Sequence, residues 1–444
     1  MKKCLSLLLA VLLLLSLAAC EKAPAETTQP TETTAVPTET TAAPAETTAA
    51  PTETAAPEET AEPTEATEPM TPEEQILWER RQTVLDYMRK QTTVLWRSDV
   101  SFDYEITTKR DANFSIVAGR LYQGIPYSFG CSAMGSFLEY ASEQDENGIY
   151  TLTGLNAEAF HGGTADARLG NDCSSAFALA WSQIGASITK SGTMHLCEDY
   201  GYLPVGDYEN DPVSNANTAG VCATNGMAVM YASYAQLQPA DGIVKCKETG
   251  GSHAMIIEAV HVEYLEDGTI DGWTSYVSVL DQTSTNYKAQ GLEWSEEYGE
   301  EICVISGKPR NVTFRTLLSN GYLPITCREL IDPSPLPEPE ITDTETVFNK
   351  DTLLSGTISC NWWIDAITVR ITDSTGAELQ KAAVTAIRYQ NRTVEMQQFI
   401  TDSPNRLYGS IDPAALASGN YHCTVVCRLT TGEEFTVRDF DFVV

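Results

Sequence analysis

Positive charge is scarce in this 444-residue sequence: 28 Lys and Arg face 61 Asp and Glu, for a net charge of −33. So acidic a surface is a poor partner for nucleic acid or anionic lipid; a cationic or mixed-charge polymer suits it better. No two of the twelve cysteines form a CxxC pair, which argues against a zinc knuckle. After residue 15 no apolar run approaches the ~20 residues of a spanning helix. Histidine occurs only five times, so imidazole chemistry has few candidates.

The N-terminus reads as a processing signal, residues 1–19. Lys2 and Lys3 precede the apolar run Leu5–Leu15, and Leu17-Ala18-Ala19-Cys20 closes it. That ending resembles the bacterial lipobox, which implies cleavage before Cys20 and lipidation of its thiol. The mature protein is then expected outside the cytoplasm, tethered to the outer face of the cell membrane by lipid alone. Residues 20–70 are built from Thr, Pro, Ala and Glu, and Val36 is the only large aliphatic residue before Met70. With nothing to bury against the entropy of ordering, this segment reads as a disordered, charge-extended stalk. At ~3.1 Å per residue it reaches on the order of 150 Å. Eleven Glu and one Lys in residues 21–70 supply −10 of the net charge, leaving −23 for the rest of the chain.

The remaining sequence reads as two domains. Thr71-Pro72-Glu73-Glu74 offers a hydroxyl N-cap, proline in the first turn and early acids, and Leu77, Val84 and Met88 continue a helix to about Lys90. Residues 131–172 and 189–235, rich in Gly and Asn, read as irregular insertions. Cys173–Ile184 reads as a helix with Ala176, Phe177, Ala180, Trp181 and Ile184 on one face, ended by Gly185. Strands are expected at Gly242–Lys247, His253–Tyr264, Ser275–Leu280, Glu301–Ser306 and Tyr322–Cys327. A first domain thus spans 71–330 and a proline-rich hinge 331–343. Short alternating strands in 344–444 suggest a β-sandwich.

Cys173 has two readings. Its register with the apolar face suits a core thiol or half of a disulfide. Its place after Asn171-Asp172, at a helix start, instead suits a nucleophile: the helix dipole favours a thiolate there, and unpaired amides can hold an oxyanion. Asp172 and Ser174 flank it as candidate substrate contacts, and Arg168 is a candidate for a substrate carboxylate. A cysteine nucleophile needs a base. His253 opens a strand after "ETGGS", so its ring can point off the sheet end. Asp281 and Gln282, at the end of "YVSVLDQT", are the candidates to orient it, and only one of two adjacent residues faces the right side.

The order "GIPYSFG" (124–130), "DCSSAFALAW" (172–181), "LQPADGIV" (237–244), "SHAMIIEAV" (252–260), then a strand with a polar residue, resembles the NlpC/P60 family of papain-like cysteine peptidases over about 120–285. The resemblance implies an α+β, papain-like domain with an antiparallel sheet and a nucleophile-bearing helix. The sequence of the last domain resembles bacterial Ig-like modules. The NlpC/P60 likeness further implies Cys173 as nucleophile, His253 as base, Tyr127 as an oxyanion or acyl contact and Asp281 in the third position, with Gln282 still open. Ala240 stands where the family carries glycine. The implied activity is hydrolysis of an amide bond in peptidoglycan stem peptides, with no cofactor and no metal. A transglutaminase-like enzyme, which also runs Cys, His, Asp, is the alternative enzyme reading. An inactive wall-binding or adhesion lipoprotein is the alternative outside enzymology.

Overall fold

Thr71 begins the first helix, as its capping chemistry predicts. The computed structural model describes residues 70–105, 113–128, 131–160, 169–186, 188, 201–209, 217–247, 251–283, 292–305, 307, 309–344, 349–385, 392–396, 406–408 and 411–444. The Thr71 hydroxyl accepts from the Glu74 N–H and the Glu74 carboxylate accepts from the Thr71 N–H, closing a capping box on the helix Pro72–Thr93. Val84, Leu85 and Met88 bury one side of this helix. Arg80 and Arg81 are buried too, and both donate to backbone carbonyls: Arg80 to Glu329 and Asp332, Arg81 to Pro239 and Leu330.

The sheet that positions the site has six strands in the order Arg310–Thr313, Tyr276–Leu280, His253–His261, Gly242–Lys245, Leu323–Cys327, Tyr202–Pro204. Every neighbouring pair is antiparallel. Strand alternation builds a core on each face. Ala254, Ile256, Val244 and Leu280 pack with the helix Cys173–Ser182, whereas Met255, Ile257, Val277 and Val279 pack with the helices Thr218–Tyr234 and Phe314–Asn320. Gly242 is needed here: a Cβ would lie 2.3 Å from the Phe177 ring, so only glycine lets the helix seat on this strand. A second sheet, with strands Leu292–Ser295, Glu300–Val304, Leu121–Gln123, Leu95–Ser98 and Tyr150–Leu152 in that order, flanks the aromatic core around Trp96 and Tyr122.

After the proline-rich segment, a three-stranded sheet and a five-stranded sheet contribute to one further core, Ile358 and Val394 from the first, Ile367, Val369 and Val425 from the second. Residues 68–444 nonetheless form a single compact unit. Trp363, 1% exposed, belongs to the core of the Cys173 helix and donates its indole N–H to the Ile188 carbonyl. Thr430 bonds the other end of that helix: its hydroxyl pairs with Ser182 and its carbonyl accepts from Gln183. Asp365 pairs with Ser136 and Arg428, and Arg428 also pairs with Glu139.

The architecture is therefore α+β with several sheets. Two readings from the sequence are corrected. Residues 131–172 hold the helix Met134–Leu138 and the strand Tyr150–Leu152, so they are not wholly irregular. Residues 189–235 are not wholly irregular, because Thr218–Tyr234 is a helix capped by Asn217, and the two shorter flanking pieces merge across a kink at Gly226, φ 76°. Two glycines and an asparagine inside it masked the helical period.

Candidate active site

Cys173 is the first residue of its helix, not a residue one turn inside it. The segment before it is fixed by a close approach. Gly170 adopts φ +83°, and a Cβ there would lie 2.3 Å from the Pro126 carbonyl oxygen. Asn171 then bridges to Tyr127 and to Cys131, and its N–H donates to the Pro126 carbonyl. Asp172 is the N-cap: its Oδ1 accepts from the Ser175 N–H at 2.8 Å, the Ser175 hydroxyl at 2.6 Å and the Ser174 hydroxyl at 2.9 Å. Asp172 and Ser174, candidates for substrate contact from the sequence, are both buried in this cap. The Ala176 N–H is taken by the Asp172 carbonyl. The Cys173 side chain emerges at the tip, 8% exposed and free of any disulfide. No two of the described cysteines are joined by a disulfide.

His253 opens its strand and meets Cys173 there. Nε2 of His253 lies 2.7 Å from Asp281 Oδ2, and the imidazole is near enough to the Cys173 sulfur to feel its charge. With Nε2 engaged by Asp281, Nδ1 is the ring nitrogen left to serve the sulfur. Burial opposes a charge on this ring, but the Cys173 sulfur and the Asp281 carboxylate outweigh it and raise its pKa from 6.5 to about 9. Asp281 is 1% exposed in its side chain. Burial pushes its carboxyl up, yet hydrogen bonding to His253 and the charges of His253 and Arg310 hold it below the ordinary carboxylate range. Its Oδ1 is buried with no hydrogen-bond partner among the described residues, so its charge is compensated through Oδ2 alone.

Gln282 faces away from His253. Its amide donates to the Ile125 carbonyl at 2.7 Å and to Asn171 Oδ1 at 3.1 Å. Asn171 in turn donates to Gln91 Oε1, and Gln91 donates to the Ala176 carbonyl. Gln91, Asn171 and Gln282 thus form a buried amide chain that ties the first helix, the entry to the Cys173 helix and the end of the Asp281 strand into one register. Tyr127 is half-buried beside that entry, through its bridge to Asn171. Arg168 and Cys20 lie outside the described residues.

Three further groups at the site were not singled out in the sequence. Arg310 donates Nη2 to Asp281 Oδ2 at 3.1 Å and lies 3.2 Å from the Met255 sulfur. Lys245 pairs directly with His253 across the antiparallel strands. Tyr322 carries the Lys245 ammonium 4.9 Å from its ring centroid. Lys245 interrupts an otherwise apolar strand, which was the one signal available. Arg310 gave none, because its strand pairs with the Asp281 strand only through the fold.

Among the described residues no cluster of His, Cys, Asp and Glu has the arrangement of a metal site. No helix among them is long and apolar enough to cross a membrane. Ala240, where the resemblance expects glycine, takes φ 72°, the only non-glycine residue described at positive φ. Its carbonyl accepts from the Trp181 indole at 2.9 Å, so this strained turn locks the sheet to the Cys173 helix. No protein-family model and no curated protein matches the chain.

Proposed function

We propose that this protein is a cysteine hydrolase of papain-like type that cleaves an amide bond in peptidoglycan stem peptides. The observation that carries the reading is the placement of His253 between the Cys173 sulfur and the buried Asp281 carboxylate. A nucleophile, a base and an orienting acid from three different elements converge at a helix tip.

The chemistry follows from these parts. The Cys173 sulfur attacks the amide carbonyl carbon while His253 holds the thiol proton on Nδ1. Negative charge gathers on the carbonyl oxygen, and the Cys173 N–H at the helix start is the donor aimed at it, with Tyr127 beside it. The C–N bond then breaks, and the amine leaves with the proton from His253, giving a thioester. A water molecule, deprotonated by His253, attacks that thioester and releases the acid and the free thiol. Asp281 keeps the imidazole in one orientation and stabilises its charged form throughout.

The lipobox-like Cys20 and the Thr/Pro/Glu stalk support an extracytoplasmic, lipid-anchored enzyme that reaches into a cell wall. The alternating strands of residues 344–444 support an Ig-like module. A transglutaminase-like reading has one observation in its favour: the third group is the carboxylate Asp281, not the amide Gln282.

One assay separates these readings. Purified protein incubated with muropeptides should release a new amine end, and Cys173→Ala should abolish the release. Release that persists in the variant sinks the cysteine mechanism. Incorporation of an added amine into a glutamine-bearing acceptor, with no net hydrolysis, assigns the transglutaminase chemistry instead.

A further inference from the structure

Several partly buried cations in this acid-rich chain sit on carboxylates, while Arg80 and Arg392 donate to backbone carbonyls. Arg81 sits on Asp241, Arg97 on Glu300, Arg428 on Asp365 and Glu139, and Arg438 on Asp343. Lys245 lies beside Cys173. It is half-buried, and among the described residues no carboxylate forms an ion pair with it. Its charged neighbours are instead the cations Lys247 and Arg310 and the Cys173 sulfur, and its ammonium rests near the Tyr322 ring. Burial and the two like charges both oppose its ionisation and lower its pKa.

The position of Lys245 is also specific. It is the direct cross-strand partner of His253, so both side chains leave the same face of the sheet. Met255, two residues along the same strand face, touches Arg310 Nη2. Arg310 is 48% exposed in its side chain and, among the described residues, is bonded only through Nη2, which leaves the rest of its donor fork available. Two cations thus lie on either side of His253, Lys245 on the adjoining strand and Arg310 one strand beyond the other neighbour, and only Arg310 is paired with a carboxylate, Asp281.

We infer that Lys245, with Arg310, forms an anion subsite next to Cys173 that receives a carboxylate of the substrate flanking the scissile amide. The carboxylate supplies the counter-charge that Lys245 lacks among the described residues, and its binding orients the acyl group over the sulfur. The substrate-level part of this inference rests on the hydrolase reading; the subsite itself does not.

The test reads the subsite without turnover. Cys173 in the full chain is alkylated with iodoacetate, an anion, or with iodoacetamide, its neutral analogue, and the modified peptide is followed by mass spectrometry. Any change in the sulfur's own nucleophilicity affects both reagents, so the ratio of the two rates isolates the pull on the carboxylate. Lys245→Gln should lower the iodoacetate-to-iodoacetamide ratio at least fivefold, and Lys245→Arg should restore most of it. A ratio in Lys245→Gln equal to that of the wild type overturns the subsite, as does an equal loss with both reagents. If the ratio falls as expected while muropeptides yield no new amine end, the subsite stands and the peptidoglycan reading fails.

Discussion

His253 carries the most informative charge in the molecule. Its pKa is raised to about 9 by the Cys173 sulfur and Asp281, against the opposing effect of burial. The linkage sign follows directly: a base with a folded pKa above its unfolded one stabilises the native state when protonated. That stabilisation is complete below about pH 6.5 and is lost as pH rises through about 9. The urea midpoint of the wild type, compared with His253→Gln, should therefore show a gap that narrows between pH 6.5 and 9.5; a gap independent of pH would refute the assignment. The cause can be tested separately. In Cys173→Ala one of the charges that raises the imidazole is gone, so the His253 titration followed by NMR should move to lower pH. Arg310 belongs at this scale too, because it shares Asp281 Oδ2 with His253 and keeps the carboxylate ionised in a buried place.

The Cys173 helix shows how local capping and tertiary locking combine. Asp172 satisfies three donors of Ser174 and Ser175 in a buried setting. Asp172→Ala should therefore cost about 2 kcal/mol, the upper end for N-caps, whereas Asp172→Asn, which keeps the oxygen acceptor, should cost under about 1 kcal/mol. Urea denaturation distinguishes the two, and equal losses would mean that the oxygen is not what the cap uses. Much of this element was legible in the sequence: the polar entry, the apolar face and the terminating Gly185 all lie within a few residues of one another. His253 at a strand start and Asp281 at a strand end were legible as well, because each breaks an apolar run. The choice between Asp281 and Gln282 was not. Strand alternation says that they face opposite ways but does not say which way, and the contacts of Gln282 with Ile125 and Asn171 come from segments over a hundred residues away. The Thr218–Tyr234 helix escaped for a different reason: its apolar residues are interrupted by Gly220, Asn225 and Gly226, and its burial is decided by Phe314 and Tyr322 across the sheet face.

At the scale of the whole molecule, the strands after the proline-rich segment are not an appendage. Trp363 fills the core behind the Cys173 helix, and Thr430 bonds the end of that helix. Trp363→Ala should destabilise the protein by about 3–5 kcal/mol. It should lower one cooperative unfolding transition, monitored together by tryptophan fluorescence and by the exposure of Cys173 to alkylation. Two separate transitions, with Cys173 protected through the first, would show that the two cores fold independently. Sequence patterning announced a change of texture at residues 331–343 and hence a boundary, but a single indole crossing that boundary leaves no periodic trace. The same indole has a temporal consequence. A ribosome delivers Cys173 long before Trp363, and the strand that bears Arg428 and Thr430 comes later still. The thiol is thus made early and its seat is completed late, so a chain interrupted in the last hundred residues carries the Cys173 sulfur on an unfinished support.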